Sequence, residues 1–505
     1  MDFLDPIAQG LAAGFRLESI AWIVLGVVIG ITLGAAPGIG ATVGIALVLP
    51  ITLRIPATEA VFLMVSILVG SSFGNSIPAV LVKIPGGSAA LLTVAEGNPL
   101  QRRGEGGKAL IACLTANVLG QAFGVILFIL FVIPLAAVAV HFLFPEVFAL
   151  VVFGLLTAAT LIGRDALKGL MAVGIGLLLG MVGTDFVTGQ SRLTFGVNAL
   201  DGGFSDIAVL VGILALRQVL LDFRFPSLRF PRVDGIGLAR ISRREFRQIL
   251  RPIGIGAVAG TLIGILPGNG GTVSTFVAYR FSQLTSKHGD EYGKGSLEGL
   301  AAVDSANSGA QTGELIPTLA LGIPGTPAMV LLMAALLAQG IVVGPQLLKT
   351  QPELLYATFG GLMASVIVLA VAGYLVIGPS VFISSISRPA VLATTFVLIL
   401  LGVYVTTYSV FDLVVCVAAG SLGYVMTRGG FPVLPTTLAF ILGPIAESSL
   451  RRGLIMTDGI VGFVTRPVAA LLLSLAVASI LAPLAVRRWR TWRATRPGAG
   501  AAPEA

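Results

Sequence analysis

An all-α polytopic membrane protein, with about twelve transmembrane segments in two related, inverted halves that contain broken helices or re-entrant hairpins, is the fold class that three observations predict. First, hydrophobic residues make up 56% of the 505-residue chain and charged residues only 11%, against roughly 45–50% and about 25% in soluble domains. So few charges cannot keep a globular surface of this size wet, and the mean hydropathy of +0.98 agrees. A soluble enzyme is excluded. Second, 64 Gly and 27 Pro are scattered through this apolar sequence, where a bilayer tolerates interrupted helices only if the freed backbone is buried in protein or lines a cavity. Third, a pattern in the first half of the chain returns in the second.

Runs long enough to span lie at 20–36, 57–72, 109–133, 146–162, 166–183 and 204–221, then at 252–267, 316–340, 353–378, 390–410, 412–427 and 464–486. The runs 41–53, 77–92 and 433–445 are too short to cross alone and read as half-helices or re-entrant hairpins. The start of the chain sets Asp2, Asp5 and Glu18 against Arg16. It lacks the basic start and cleavage site of a signal peptide, so the first apolar segment is expected to be retained.

Basic residues gather in two blocks rather than over a face. Between Asp222 and Arg251 stand Arg224, Arg229, Arg232, Arg240, Arg243, Arg244 and Arg247, opposed only by Asp222, Asp234 and Glu245. Near the end come Arg487, Arg488, Arg490, Arg493 and Arg496, with Trp489 and Trp492 among them. By the positive-inside rule both blocks are cytoplasmic, and the aromatic residues mark an interface. Neither block comes with a nucleic-acid-binding fold, so the net charge of +8 reports topology rather than a nucleic-acid partner. The domains expected are a first transmembrane repeat at 1–221, a basic cytoplasmic linker at 222–251, a second repeat at 252–450, a terminal helix region at 451–486 and a basic tail at 487–505.

The repeat is legible residue by residue. Gly34-Ala35-Ala36-Pro37-Gly38-Ile39-Gly40-Ala41-Thr42 returns as Gly264-Ile265-Leu266-Pro267-Gly268-Asn269-Gly270-Gly271-Thr272, an offset of 230. Asn75 ahead of Ile84-Pro85-Gly86 is echoed by Asn307 ahead of Ile323-Pro324-Gly325, at offsets of 232 and 239. Duplication explains the shared order and spacing; chance recurrence of Pro-Gly in a Gly-rich chain is the alternative. Inversion of the halves would put the acidic N-terminus outside and the basic linker inside.

Catalytic signatures fail one after another. His141 and His288 cannot build a triad or a multi-histidine metal site. Cys113 and Cys416 stand alone in apolar runs, where free cysteines behave as small hydrophobes. Gly104-Glu105-Gly106-Gly107-Lys108-Ala109 lacks the spacing and the Ser/Thr of a P-loop, and the glycines at 38, 40 and 44 miss the dinucleotide spacing. No catalytic residue, resident cofactor or metal is expected, beyond Na⁺ or H⁺ as a coupling ion.

The breaks remain. Each unpaired N–H or C=O within hydrocarbon costs several kcal/mol unless a polar group meets it. Half-helix N-termini suit carboxylates, and unwound carbonyls and half-helix C-termini suit Na⁺. The residues expected to contact a bound anion are therefore Pro37, Gly38, Gly40, Thr42, Ser72, Asn75, Ser76, Lys83, Pro85, Gly86 and Ser88 in the first half. In the second they are Pro267, Gly268, Gly270, Thr272, Ser305, Asn307, Pro324, Gly325 and Thr326. Ser71, Ser274, Thr275, Ser308 and Thr312 are further short donors near the breaks, although small polar residues also serve close helix packing. Asn75 and Asn307 are costly at membrane depth and, with Asp304, are the expected ion-coupling residues. Lys83 reads either as a partner for an anionic group or as a snorkelling lysine, and Asp304 either as a cation or proton carrier or as a solvated charge. Glu447 with Arg451 and Arg452 reads as an interfacial ion pair, and Asp165 with Arg164 and Lys168 as a loop.

With these residues in place the chain resembles the large membrane subunit of the tripartite tricarboxylate transporters, the TctA-type family. The motifs are Ala36-Pro37-Gly38-Ile39-Gly40, Gly70-Ser71-Ser72-Phe73-Gly74-Asn75-Ser76-Ile77, Ile84-Pro85-Gly86 through Gly97-Asn98-Pro99, and Leu266-Pro267-Gly268-Asn269-Gly270. They continue as Gly295-Ser296-Leu297-Glu298-Gly299, Asp304-Ser305-Ala306-Asn307, Leu321-Gly322-Ile323-Pro324-Gly325, Gly344-Pro345 and Leu442-Gly443-Pro444-Ile445-Ala446-Glu447. The resemblance implies a multi-pass permease of the bacterial inner membrane. Its implied partners are a small four-helix membrane subunit and a periplasmic solute-binding protein, and its implied activity is ion-gradient-driven carboxylate import. Members of this type handle citrate, other di- and tricarboxylates, and aromatic acids. Asp304-Ser305-Ala306-Asn307-Ser308 stands where the family commonly has Glu-Ser-Ala-Asn-Asn, and Lys83 where Asn is frequent; both bear on which anion fits. The rival readings are a passive organic-anion channel and a membrane scaffold or intramembrane enzyme.

Overall fold

The structure is a computed structural model and describes residues 4–36, 40–139, 141–162, 165–185, 188–223, 237–266, 270–383, 388–457 and 459–494. Among these residues the chain is helical nearly throughout, apart from short turns and a two-stranded antiparallel ribbon pairing Gly183 with Arg192 and Thr184 with Ser191. The first helices are α1 (Leu4–Gly14), α2 (Leu17–Ala35), α3 (Gly40–Thr52), α4 (Ala57–Val82), α5 (Leu91–Arg102), α6 (Gly106–Ala139), α7 (Phe144–Ile162) and α8 (Ala166–Gly180). After the ribbon come α9 (Asp206–Val211), a π-helical turn at Gly212–Leu216, α10 (Arg217–Asp222), α11 (Arg243–Gly264), α12 (Gly270–Thr285), α13 (Leu297–Leu321) and α14 (Pro327–Ala338). The remainder are α15 (Leu347–Thr350), α16 (Pro352–Ile377), α17 (Ser380–Ile383), α18 (Arg388–Thr407), α19 (Val410–Arg428), α20 (Val433–Met456), α21 (Val461–Thr465) and α22 (Pro467–Ala494).

Among the described residues seven helices are long and apolar enough to cross a membrane: α2, α4, α6, α16, α18, α19 and α20. Shorter apolar helices lie at Gly40–Thr52, Phe144–Thr160, Ala166–Gly180, Pro327–Ala338 and Pro467–Leu481. Several expected boundaries move. The run 57–72 extends through Val82 as α4, and 433–445 extends through Met456 as α20, because polar residues that end an apolar run do not end a helix whose backbone bonds continue. The run 316–340 is divided by a break at 322–326 between α13 and α14. The run 77–92 joins the end of α4 to a turn at Ser88–Ala90. Helix α11 begins at Arg243, so the last part of the basic block is helical. Its start carries a capping box, in which Ser242 accepts from the Glu245 N–H and Glu245 accepts from the Ser242 N–H. Asp165, expected in a loop, caps α8 by accepting from the Leu167 N–H.

The chain divides into two compact units, Met1–His141 with Val182–Gly429, and Phe142–Met181 with Gly430–Ala505. This division cuts across the sequence halves. In the second unit α7 and α8, from early in the chain, pack with α20 and α22. Thr436 Oγ1 donates to the Ala172 carbonyl at 2.9 Å, Arg466 pairs with Glu146, and Phe148 meets Phe463 edge-on at 5.6 Å. Glu447 pairs with Arg451 at 2.6 Å, the ion pair the spacing suggests.

The larger unit is organised around α4 and α13, which are buried along nearly their whole lengths. For α4 this follows from sequence that is apolar on every side. Helix α13 is buried although it carries Asp304, Ser305, Asn307, Ser308, Thr312 and Glu314. Each long helix is crossed by a glycine-bearing neighbour. A Cβ on Gly30 of α2 would lie 2.4 Å from the Ile67 carbonyl oxygen of α4, and one on Gly260 of α11 would lie 2.3 Å from that of Ala306 in α13. In return, Gly74 sits against Ile31 and Gly313 against Thr261, with would-be Cβ distances to the carbonyl oxygens of 2.6 and 2.4 Å. Only glycine permits so close an approach of two backbones. These contacts correspond at an offset of 230 from α2 to α11 and of 239 from α4 to α13.

Candidate functional site

The C-termini of α4 and α13 are built alike. Pro78 and Pro317 lie five residues before left-handed caps, Lys83 at φ 62° and Gly322 at φ 72°. The Pro78 carbonyl accepts from the Lys83 and Ile84 N–H groups, and the Pro317 carbonyl from those of Gly322 and Ile323. The chain then turns back along its own helix. A Cβ on Gly86 would stand 2.6 Å from both the Cα and Oδ1 of Asn75, while Thr326 Oγ1 donates to Glu314 Oε2 at 3.1 Å.

This geometry corrects one pairing. At the offset of 239 that matches the two caps, the counterpart of Asn75 is Glu314, and the counterpart of Asn307 is Leu68. The register of the long helices follows from Ser76 opposite Asp304 and Ser72 opposite Ser308, which makes α4 and α13 antiparallel. By that register Asn75 and Glu314 are separated by roughly 14 Å along the helix axes, at 1.5 Å per residue.

A polar seam runs between α4, α6 and α13. Asp304 is 2% exposed; its Oδ1 accepts from Ser76 Oγ at 2.9 Å and from Thr93 Oγ1 at 3.2 Å, and the Cys113 thiol also reaches it. Its Oδ2 is buried with no hydrogen-bond partner among the described residues. One turn further along α13, Ser308 Oγ donates to Asn117 Oδ1 and lies 3.4 Å from Ser72 Oγ. One turn beyond, Thr312 Oγ1 accepts from Gln121 Nε2. Residues 304, 308 and 312 on α13, and 113, 117 and 121 on α6, recur every four positions, so each set lies along one helix face. The solvated-charge reading of Asp304 is thereby overturned, because a helix capped at Ser296 carries it into the interior. A carboxylate held by two hydroxyls gains about 1.5–3 kcal/mol per bond. Its second oxygen and Asn75 Oδ1, also buried without a partner among the described residues, leave acceptor capacity unused.

The other expected residues distribute as follows. Ser88 and Thr272 share a hydrogen bond of 2.8 Å, joining the first break to the start of α12. Asn307 faces the same helix start, since a Cβ on Gly271 would lie 3.8 Å from its Oδ1. Gly270 is buried at the first position of α12, and Gly40, at φ 61°, opens α3 with Thr42 half-buried behind it. Pro324 and Gly325 are buried, Gly86 is buried and Pro85 half-buried, and Lys83 is exposed at its cap. Helix α14, which follows the second break, packs on α3. Ser305 is turned elsewhere: its Oγ donates to the Ile253 carbonyl at 2.7 Å, and Gly120 and Gly256 press against it, so it serves the packing of α13 on α6 and α11. Ser71, Ser274 and Thr275 bond back to their own helices. Pro37, Gly38, Pro267 and Gly268 lie outside the described residues.

Glu314, Thr93, Asn117, Gln121 and Glu96 escape the motif reading. Asn117 and Gln121, polar and four apart within an otherwise apolar span, were the available signal. Glu96 is fully buried and accepts from the Tyr279 hydroxyl at 2.6 Å and from the N–H groups of Gly293, Gly295 and Ser296 at 2.6, 3.0 and 2.7 Å. It fastens α5 to the turn that leads into α13. At the starts of α6 and α11, Lys108 pairs with Glu105 and Glu245 at 2.8 and 3.0 Å.

Comparison with known proteins agrees with this anatomy. The sequence profile described as "Tripartite tricarboxylate transporter TctA family" matches residues 20–438. An Agrobacterium vitis protein named "Uncharacterized 52.8 kDa protein in TAR-I ttuC' 3'region" is 33% identical over 485 residues, 96% of this chain and 97% of its own. A second from that organism, "Uncharacterized protein in TAR-II ttuC' 3'region", is 34% identical over 226 residues, 45% of this chain and 93% of its own. No solved structure matches. A profile that runs through both breaks, both glycine crossings and the polar seam leaves one assignment: the chain belongs to the tripartite tricarboxylate transporter TctA family.

Proposed function

We propose that this chain is the large permease subunit of a binding-protein-dependent secondary transporter that imports carboxylates across the bacterial inner membrane. A small four-helix membrane subunit and a periplasmic solute-binding protein are its partners, and a Na⁺ or H⁺ gradient drives it. The substrate is a tricarboxylate such as citrate, or a related di- or aromatic carboxylate, held by the breaks at 34–42 and 71–93 and their counterparts at 264–275 and 304–326. Asp304, Asn75 and Asn307 couple its movement to the cation. The observation that carries this reading is α13, buried along nearly its whole length yet lined with hydrogen-bonding groups, including a carboxylate with one oxygen unpartnered among the described residues. Buried polar groups at membrane depth are costly and mark ion and substrate pathways.

The architecture belongs to the same proposal. Residues 1–221 and 252–450 are inverted repeats joined by a cytoplasmic linker at 222–251 and followed by the terminal region 451–486 and the tail 487–505. The paired glycine crossings, the matched caps and the antiparallel α4 and α13 support it. Cysteine-accessibility labelling that found the N-terminus and the linker on one face would remove the inversion.

Uptake of labelled citrate and a panel of other carboxylates into vesicles holding this chain with its small partner tests the function. Accumulation that needs the binding protein and an imposed Na⁺ or proton gradient is the expected result. Flux indifferent to both gradients would make the chain a passive anion channel, and no flux of any carboxylate through folded protein would end the transport reading.

A further inference from the structure

Glu314 belongs to none of the sequence motifs, yet it takes at the second break the position that Asn75 takes at the first. Both stand eight residues before the left-handed cap of their helix, and both meet the chain as it turns back, Asn75 at Gly86 and Glu314 at Thr326. The first break therefore presents a neutral amide and the second a carboxyl group.

That carboxyl group is 5% exposed, and among the described residues its hydrogen bond is the one from Thr326. Among the described residues no cation pairs with it. Of the ionisable groups on the helices packed against α13, Glu96 accepts from Tyr279 and Lys108 pairs with Glu245, while Arg243, Arg244 and Arg247 stand in the first turns of α11, Arg102 ends α5 and Lys349 of α15 is exposed. Arg251 donates to the Thr285 carbonyl and Arg280 to Gln283. On α4 the acid is Glu59, which the register of Ser72 opposite Ser308 sets about level with Leu321, two turns further along. Helix α14 carries no ionisable residue. Asp304 lies ten residues away on the same helix, held by Ser76 and Thr93.

A carboxylate so enclosed, with one hydroxyl in place of its water, is stabilised by taking up a proton. Protonation also changes what the break offers. The ionised group holds the Thr326 hydroxyl as a donor to itself and repels an arriving anion. The protonated group becomes a donor and frees the Thr326 hydroxyl to donate outward. Anion and proton then raise each other's affinity, as any two linked ligands must.

Resting on the transport reading above, we propose that Glu314 carries a coupling proton: it is protonated while a substrate carboxylate occupies the second break and releases that proton when the substrate leaves. Two measurements test this. In vesicles clamped at zero membrane potential and symmetric Na⁺, an inward gradient of one pH unit supports about tenfold carboxylate accumulation per coupled proton. Glu314→Gln loses that pH-driven accumulation, and Glu314→Asp retains it with a displaced pH profile. Glu314→Gln accumulating like wild type under the pH gradient overturns the proposal. The second measurement needs no variant. Citrate, or whichever carboxylate the vesicles take up, is added to weakly buffered wild-type protein at the alkaline end of its uptake profile, and a pH indicator reads about one proton bound per chain. Carboxylate binding without proton uptake overturns the proposal while leaving transport intact. Absence of both binding and flux overturns the transport reading, and this inference with it.

Discussion

Replacing Gly86 with Ala isolates the contact that returns the first break to its helix. The added methyl would stand 2.6 Å from both the Cα and Oδ1 of Asn75. Ordinary carbon contacts begin near 3.5 Å, so roughly 1 Å must be found. Rotating the amide relieves the Oδ1 contact but leaves the Cα, which is backbone in a buried helix crossed by α2. The break itself must therefore move. Overpacking of this kind costs typically about 1–3 kcal/mol, and an ångström of misplacement at a positioning site can cost on the order of 100-fold in turnover. Gly87→Ala is the matched control: among the described residues its Cβ would find only Asn75 Nδ2, at 3.8 Å, and its φ of −157° suits any residue. Thermal unfolding in detergent and initial uptake rates, both normalised to membrane-inserted protein, read the pair. Gly86→Ala is expected to lower both, uptake far more, with Gly87→Ala near wild type. Equal uptake by the two variants would show that the distance from the break to Asn75 does not matter to transport.

Further perturbations follow from the same geometry. Asn75→Ala and Asn307→Ala should each abolish uptake at normal membrane expression, and wild-type uptake in both would remove the two asparagines from the site. Lys83→Gly relieves a left-handed cap that costs a side-chain-bearing residue roughly 1 kcal/mol; unfolding should shift upward while KM for the anion rises by up to about fivefold, the loss of one exposed charge contact, and an unchanged KM would leave Lys83 as a cap alone. Glu96→Gln replaces a carboxylate accepting four hydrogen bonds by an amide whose NH₂ must face N–H donors, at an expected cost of about 2–4 kcal/mol. Limited proteolysis should then cut between α12 and α13, and a variant as resistant as wild type would mean that the turn holds without Glu96.

Composition alone excluded a water-soluble fold, because one charge in nine residues leaves too little surface for water, and the family was legible from motifs spread in order along the chain. The breaks were legible too, since Pro-Gly interrupts a helix whatever surrounds it. Which polar residues face one another was not. Asp304 stood between a coupling carboxylate and a solvated charge until α13 carried it inward, Ser305 looked like a ligand until it turned to Ile253, and the pairing of Asn75 with Asn307 gave way to Asn75 with Glu314 once the two caps were superimposed by their hydrogen bonds.

The difference has a physical cause. Hydrophobicity and helix breaking are properties of short stretches, additive along the chain, so they survive without three-dimensional context. The side chain that meets a given carboxylate depends on the register between helices hundreds of residues apart, and that register is decided by backbones that interlock where glycine leaves room. Gly30 against Ile67 sets α2 on α4 here and Gly260 against Ala306 sets α11 on α13, and Asp304 meets Ser76 and Thr93 where α13 lies along α4 and α5.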